Sequence, residues 1–120
     1  MNLTQGWINL YKPTKISSFQ ALNKIKKKFF IKKIGHAGTL DPLAEGILPI
    51  ALGKATKLIP YVNIRFKTYI FTISWGSQTS TDDSEGDIIL KSHIIPNLDQ
   101  IKNNIKFFLG NIKQVPPKYS

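Results

Sequence analysis

The sequence predicts an α+β fold, a mixed and mostly antiparallel sheet with flanking helices. Three observations predict it. Residues 17–29 start with a cap and carry apolar side chains at helical spacing. Ile47 to Leu52 is a continuous apolar run of strand length, closed by Gly53. Lys67 to Trp75 alternates with period two.

Taken in order, Gly6 to Tyr11 reads as a short strand that Lys12-Pro13 ends, because proline fixes φ and has no N–H to donate. Ser17 with Gln20 fits a capping box. Phe19, Leu22, Ile25 and Phe29 then form the apolar stripe of a helix of about three turns. Its lysines gather near the C-terminal end, where the helix dipole favours cations. Ile47 to Leu52 reads as a buried strand, and Ala55 to Val62 as a short helix broken near Pro60. In the alternating segment Tyr69, Phe71, Ile73 and Trp75 share one face, facing a core or cleft. Gly76 to Gly86 is a polar turn and Asp87 to Leu90 the return strand of a hairpin. Asp82, Asp83, Glu85 and Asp87 lack the spacing of a calcium loop and read as a solvated turn. Asn97 caps a last helix with Leu98, Ile101, Ile105, Phe108 and Leu109 on its stripe and Gly110 as its stop.

The 120 residues suffice for one domain with a modest core, and 42% hydrophobic content excludes a disordered tail. A net charge of +10 and a pI of about 9.9 suggest an acidic partner, nucleic acid before a membrane surface. A soluble, lysine-rich surface is the plain alternative. Arg65 is the only arginine among seventeen basic residues. Lysine holds phosphate as a point charge, without the fork that reads guanine edges, so backbone contact is favoured over base readout. Lys24, Lys26, Lys27, Lys28, Lys32 and Lys33 are the densest basic patch, either a solvated helix face or an RNA-backbone contact. Without cysteine there is no disulfide or thiolate-metal site, and no His/Asp/Glu cluster suggests a metal or a cofactor. No apolar run approaches a membrane span, and Met1 to Gln5 lacks signal-peptide character, so a cytoplasmic location is expected.

The densest signal runs from Gly35 to Ile50 and on through Gly53-Lys54-Ala55-Thr56-Lys57. It holds four of the eight glycines and presents Asp41 before Pro42. A carboxylate fixed in a basic protein is a candidate for chemistry on an anionic substrate. Asp41 as an N-cap with Pro42 at the first helical position is the competing reading.

Gly-His-x-Gly-Thr-Leu-Asp-Pro-x-Ala-x-Gly-x-Leu-Pro, followed by Gly-x-Ala-Thr-Lys, resembles the catalytic segment of the TruB-type tRNA pseudouridine synthases, which isomerise uridine 55 in the T-loop of tRNA. Lys12-Pro13 with Ser17-Ser18 resembles the family's first motif, except that Lys15 stands where glycine is usual. If that position needs φ > 0, lysine is strained there. Thr79 to Gly86 and Gln114 to Ser120 resemble two further motifs, in family order.

The resemblance implies that Asp41 is the catalytic aspartate, on a loop supported by Gly35, Gly38, Thr39, Leu40 and Pro42. It implies that Tyr69 stacks on the flipped base, although pattern alone makes Tyr69 a strand core aromatic. His36 matches a histidine that contacts RNA near the extruded base, although a lone loop histidine needs no function. Lys12 supports the loop or a phosphate. The implied partner is the T-arm of tRNA, bound by a monomer without metal, cofactor or membrane.

Pseudouridine formation breaks the base–ribose N–C bond, turns the base and rejoins it through carbon. One carboxylate can serve as nucleophile or base, and extruding the uridine costs a few kcal/mol. On the same resemblance, residues 1–120 are the N-terminal part of a catalytic domain. The family's C-terminal half, with its basic residue and further tyrosine, and its RNA-binding domain are absent. The rival readings are a non-catalytic basic RNA-binding module or degenerate fragment and, more weakly, a small structural protein of a ribonucleoprotein. A hydrolase using Asp41 lacks a second acid or base at suitable spacing.

Overall fold

A computed structural model describes residues 5–62 and 66–117. The chain divides into two compact units, Met1–Thr68 and Tyr69–Ser120. The first contains β1 (Gly6–Lys12), α1 (Ser18–Lys28), β2 (Ile34–His36), β3 (Gly46–Leu52) and a 3₁₀ segment, Gly53–Tyr61. Its sheet has the order β1-β3-β2, antiparallel on both sides of β3. The central position explains the apolar run: Leu48, Ile50, Ala51 and Leu52 are all buried. The predicted strand is thus present, and β2, unforeseen in the sequence, borders it.

Alpha helix α1 begins at the predicted capping box. The Gln20 amide donates to Ser17 Oγ at 3.1 Å, and the Ser17 amide donates to Gln20 Oε1 at 2.8 Å. The inward face differs from the predicted stripe. Phe19 is 67% exposed, whereas Ser18, Ala21 and Leu22 are buried and Ile25 packs against the core. These four share helical spacing i, i+3, i+4, i+7. Their small leading members let the helix lie close to the sheet. Ile31, just past the helix, joins Ala21, Leu48, Ile50 and Leu52 in the core.

Pro49 sits inside the central strand, opposite Asn9 of β1. Its carbonyl accepts from the Ala37 amide at 2.9 Å, so its missing N–H faces the β2 side. The β2 ladder ends there, and Gly38 at φ +79 turns the chain away. A proline that would interrupt a longer ladder therefore marks where the motif loop leaves the sheet. The predicted helix at Ala55 to Val62 is the 3₁₀ segment, which starts earlier at Gly53 (φ +58) and contains Pro60.

The second unit departs further from expectation. Residues 66–75 form no strand, which corrects the strand predicted at Lys67 to Trp75. Period-two alternation tells which side chains share a face, but a strand also needs a hydrogen-bonded neighbour. Among the described residues this segment has none. The hairpin instead joins β4 (Ser77–Thr79) to β5 (Ile88–Lys91), with a register shift at Gln78/Thr79. Its first arm lies inside the predicted turn. The connection is held by Asp83, whose carboxylate accepts from Thr81 Oγ1 at 2.6 Å and from the Glu85 amide at 2.8 Å. Helix α2 (Leu98–Ile105) has the predicted cap at Asn97, reciprocated by Gln100. A 3₁₀ turn, Lys106–Phe108, follows, and Gly110 sits at φ +80. Yet Leu98, Ile105, Phe108 and Leu109 of its predicted apolar stripe are exposed. Arg65 and the motif end Lys118 to Ser120 lie outside the described residues. Among those described, no helix is long and apolar enough to cross a membrane.

Candidate active site

The motif loop between β2 and β3 is held by its own backbone carbonyls. Ser18 Oγ donates to Leu40 O and accepts from the Leu40 amide, both at 2.9 Å. Asp41 O accepts from the Ala44 amide at 3.1 Å. Pro42 O accepts from the Lys15 amide at 2.8 Å and from Lys12 Nζ at 3.4 Å. Leu43 O accepts from Thr14 Oγ1 at 3.0 Å. Four successive carbonyls, from residue 40 to 43, are thus engaged. No helix follows Asp41: residues 42–43 form a turn and β3 starts at Gly46, so the N-cap alternative gives way. The Asp41 side chain is exposed on this tethered turn.

Lys12 is the anchor beneath it. The residue is wholly buried, and Nζ donates to Pro13 O at 3.0 Å and to Ile16 O at 2.8 Å as well as to Pro42 O. Three donors meet three carbonyls, which is the full capacity of an ammonium group. Burial holds its pKa below the usual lysine value, and the nearby Asp41 and Glu45 charges partly oppose that shift. The geometry is that of loop support. Lys15 stands at φ +65, so the strain expected of a side chain at this glycine-favouring position is present. The hydrogen bond that its backbone N–H donates to Pro42 O holds it there.

His36 closes β2 opposite Ile50 and is half-buried. Its Nδ1 is buried with no hydrogen-bond partner among the described residues. A buried ring nitrogen left unpaired carries a desolvation penalty, so it calls for a partner. Gly35 lies under the 3₁₀ segment: a Cβ there would come within 2.8 Å of Ile59 Cδ1. Thr39, exposed, accepts from Lys67 Nζ through its carbonyl. Tyr69 opens the second unit, 47% exposed on unpaired chain. The hydrogen bonds therefore gather Lys12, Leu40, Asp41 and Pro42 around one loop, with Gly35, His36, Gly38 and Thr39 on the chain leading into it.

Sequence reasoning missed Ser18 and Thr14 as loop tethers. A signal existed for Ser18: it shares the inward helical spacing of Ala21, Leu22 and Ile25. Glu45 is the other acid in residues 1–68. It is exposed near the Tyr11 phenol, whose pKa is raised by desolvation first and by Glu45 second. The Asp41 carboxylate, presented on the tethered turn, suits attack or proton abstraction by a single group. Among the described residues no group of three His, Asp or Glu could hold a metal.

Residues 26–120 match the TruB family pseudouridylate synthase (N terminal domain). The chain belongs to the TruB family. It is 59% identical over 118 residues to tRNA pseudouridine synthase B of Wolbachia pipientis subsp. Culex pipiens, covering 98% of this chain and 33% of that protein. It is 56% identical over 115 residues to tRNA pseudouridine synthase B of Ehrlichia chaffeensis, covering 96% of this chain and 39% of that protein. The chain thus spans roughly a third of the length of the curated relatives it matches. A chain in the structure of an H/ACA RNP bound to a substrate RNA containing 2′-deoxyuridine is 46% identical, with 48% of this chain and 18% of that chain covered at a TM-score of 0.46.

Proposed function

We propose that this chain is the aspartate-bearing, N-terminal portion of a tRNA pseudouridine synthase, with Asp41 acting on uridine 55 of the T-loop in the cytoplasm. The observation that carries the reading is the presentation of Asp41. Its carboxylate is exposed on a turn whose four consecutive carbonyls are all tied down. Such tethering fixes where the carboxylate stands before substrate arrives. The relatives that share this segment are named tRNA pseudouridine synthase B.

The reaction is an isomerisation and consumes nothing. The N–C bond from base to ribose breaks, the base turns, a C–C bond forms, and the proton lost from that carbon is balanced by one gained at the freed nitrogen. Asp41 serves as nucleophile or base in this sequence. His36, half-buried at the end of β2, contacts the RNA beside the extruded uridine through the part of its ring that solvent reaches. Tyr69 supplies a ring on which that base stacks, offsetting the energy of extrusion.

The test is pseudouridine formation in a T-arm stem-loop by the intact protein and its Asp41→Asn variant. We expect product from the first and none from the second, with RNA binding retained by both. Product from Asp41→Asn would overturn the role of Asp41. A second reading, RNA binding without catalysis, is favoured by one observation. Residues 1–68 hold twelve lysines and arginines against two acids. Salt-sensitive binding by the intact protein with no product would select it.

A further inference from the structure

The C-terminal end of α1 combines two features that stability alone disfavours. The helix closes in a Schellman arrangement: the Phe30 amide donates to Lys27 O at 3.4 Å and the Ile31 amide to Lys26 O at 3.0 Å. The residue at the left-handed position of this motif is usually glycine, which has no Cβ to clash. Here it is Phe30, at φ +52. Ile31, next to it, is buried in the core and fixes the turn from inside. Phe30 is thereby directed outward and is 91% exposed. A bulky ring thus occupies a strained backbone position and recovers none of the strain by burial. Strain of this kind, imposed by its surroundings, points toward function.

The neighbours of Phe30 say which function. Lys26, Lys27, Lys28, Lys32 and Lys33 are all exposed around it. No acidic residue occurs anywhere in residues 1–40 to pair with them. The Gly53 amide donates to Lys33 O at 2.8 Å, which brings exposed Lys54 to the same end of the sheet. An exposed aromatic ring set among lysines that form no ion pair among the described residues matches the way single-stranded nucleic acid is held, with the base on the ring and the phosphates on the cations. A lysine patch that served solubility alone would need no strained phenylalanine at its centre.

We propose that Phe30, with Lys26–Lys28, Lys32 and Lys33, is a second RNA contact, where an unpaired base stacks on the Phe30 ring while the lysines hold its flanking phosphates. It lies at the end of α1 remote from the motif loop. Ser18, at the other end, is the residue tied to Leu40. Ten residues of helix rise separate the two, about 15 Å. The contact therefore meets nucleotides other than the target uridine. The inference rests on the reading of this chain as one that acts on RNA.

The test is the affinity of the intact protein for an unmodified tRNA transcript, measured by fluorescence anisotropy across a salt series, beside thermal melting. Phe30→Gly should bind about five- to a hundredfold more weakly while melting at the same temperature or a few degrees higher, since glycine relieves the left-handed strain. Phe30→Tyr should bind within about twofold of wild type, because a phenol ring stacks as well. Lys27→Ala with Lys28→Ala should flatten the dependence of log affinity on log salt by about one to two. Wild-type affinity in Phe30→Gly would overturn the second contact and leave the role of Asp41 standing. Failure of the wild-type protein to bind the transcript even at low salt would overturn both readings. Weaker binding by Phe30→Gly with a lowered melting temperature would assign Phe30 to structure, and would also overturn the proposal unless Phe30→Asn, which tolerates the same backbone, bound as weakly at wild-type stability.

Discussion

Residues 1–68 and 69–120 are both rich in apolar side chains, yet they use them in opposite ways. Among the described residues every buried apolar side chain, from Ala21 to Leu52, lies in the first unit. The second exposes Ile70 completely, Phe71 to 75%, Ile94 to 80% and Val115 to 92%. Charge divides along the same line. The first unit holds twelve basic residues against two acidic ones, the second five against five. So the whole net charge of +10 belongs to the first unit. The contrast teaches that hydrophobicity does not make a core. What β3 has, and residues 66–75 lack among the described residues, is a hydrogen-bonded strand on either side.

The widest expected difference is in amide hydrogen exchange. Amides of β3, between β1 and β2, should exchange at least about a thousandfold more slowly than those of residues 66–75, because local opening spans from nearly zero to the global free energy. Equal exchange in the two segments would erase the contrast. Next comes truncation of a side chain in each unit. Leu48→Ala, at a fully buried site, should cost about 2–5 kcal/mol in urea unfolding. Ile105→Ala, at a site 53% exposed, should stay within about 0.5 kcal/mol. A large loss at Ile105 would mean that the second unit is covered in solution.

A smaller effect concerns the buried Lys12. Its folded pKa is lowered from 10.5 by burial. Below that folded pKa, desolvation of the ammonium opposes folding. As pH rises from there to 10.5 the unfolded state binds more protons, so stability increases. The melting temperature of wild type relative to Lys12→Met should therefore climb as pH rises from the lowered folded pKa toward 10.5. Taking the difference cancels the opposite effect of Tyr11, whose raised pKa costs stability once the unfolded phenol ionises. A flat difference would show Lys12 to be solvated.

The smallest expected effect lies in the second unit. The Thr81 hydroxyl, then the Glu85 amide, hold the Asp83 carboxyl below its usual value of 3.8. Thr81→Ala should move that titration upward in an NMR experiment. Any stability it removes at neutral pH should vanish as pH falls through the folded pKa.

Local signals were legible, and non-local ones were not. Both capping boxes, at Ser17 and Asn97, were readable because cap and partner are three residues apart. The central strand was readable from its apolar run. The face of α1 was misjudged because Phe19 outranks Ala21 in hydrophobicity, whereas close contact with the sheet favours the smaller side chain. Asp41 was found from its loop, and Lys12 was named as a support of that loop or of a phosphate, but the tethers from Thr14, Lys15 and Ser18 were not foreseen. The tethers come from Lys12, Thr14, Lys15 and Ser18, more than twenty residues away in sequence. Nothing in the identity of Phe30 announces a left-handed backbone. Only the burial of Ile31 beside it forces that conformation.

The sealed position of Lys12 has a practical consequence. An amine-directed reagent can reach the ε-amino group of an exposed lysine at once, but that of Lys12 only when the chain opens. Acetylation or reductive methylation followed by peptide mass analysis would thus read, at that one site, how often the molecule breathes. The protein carries its own stopwatch under the turn that presents Asp41.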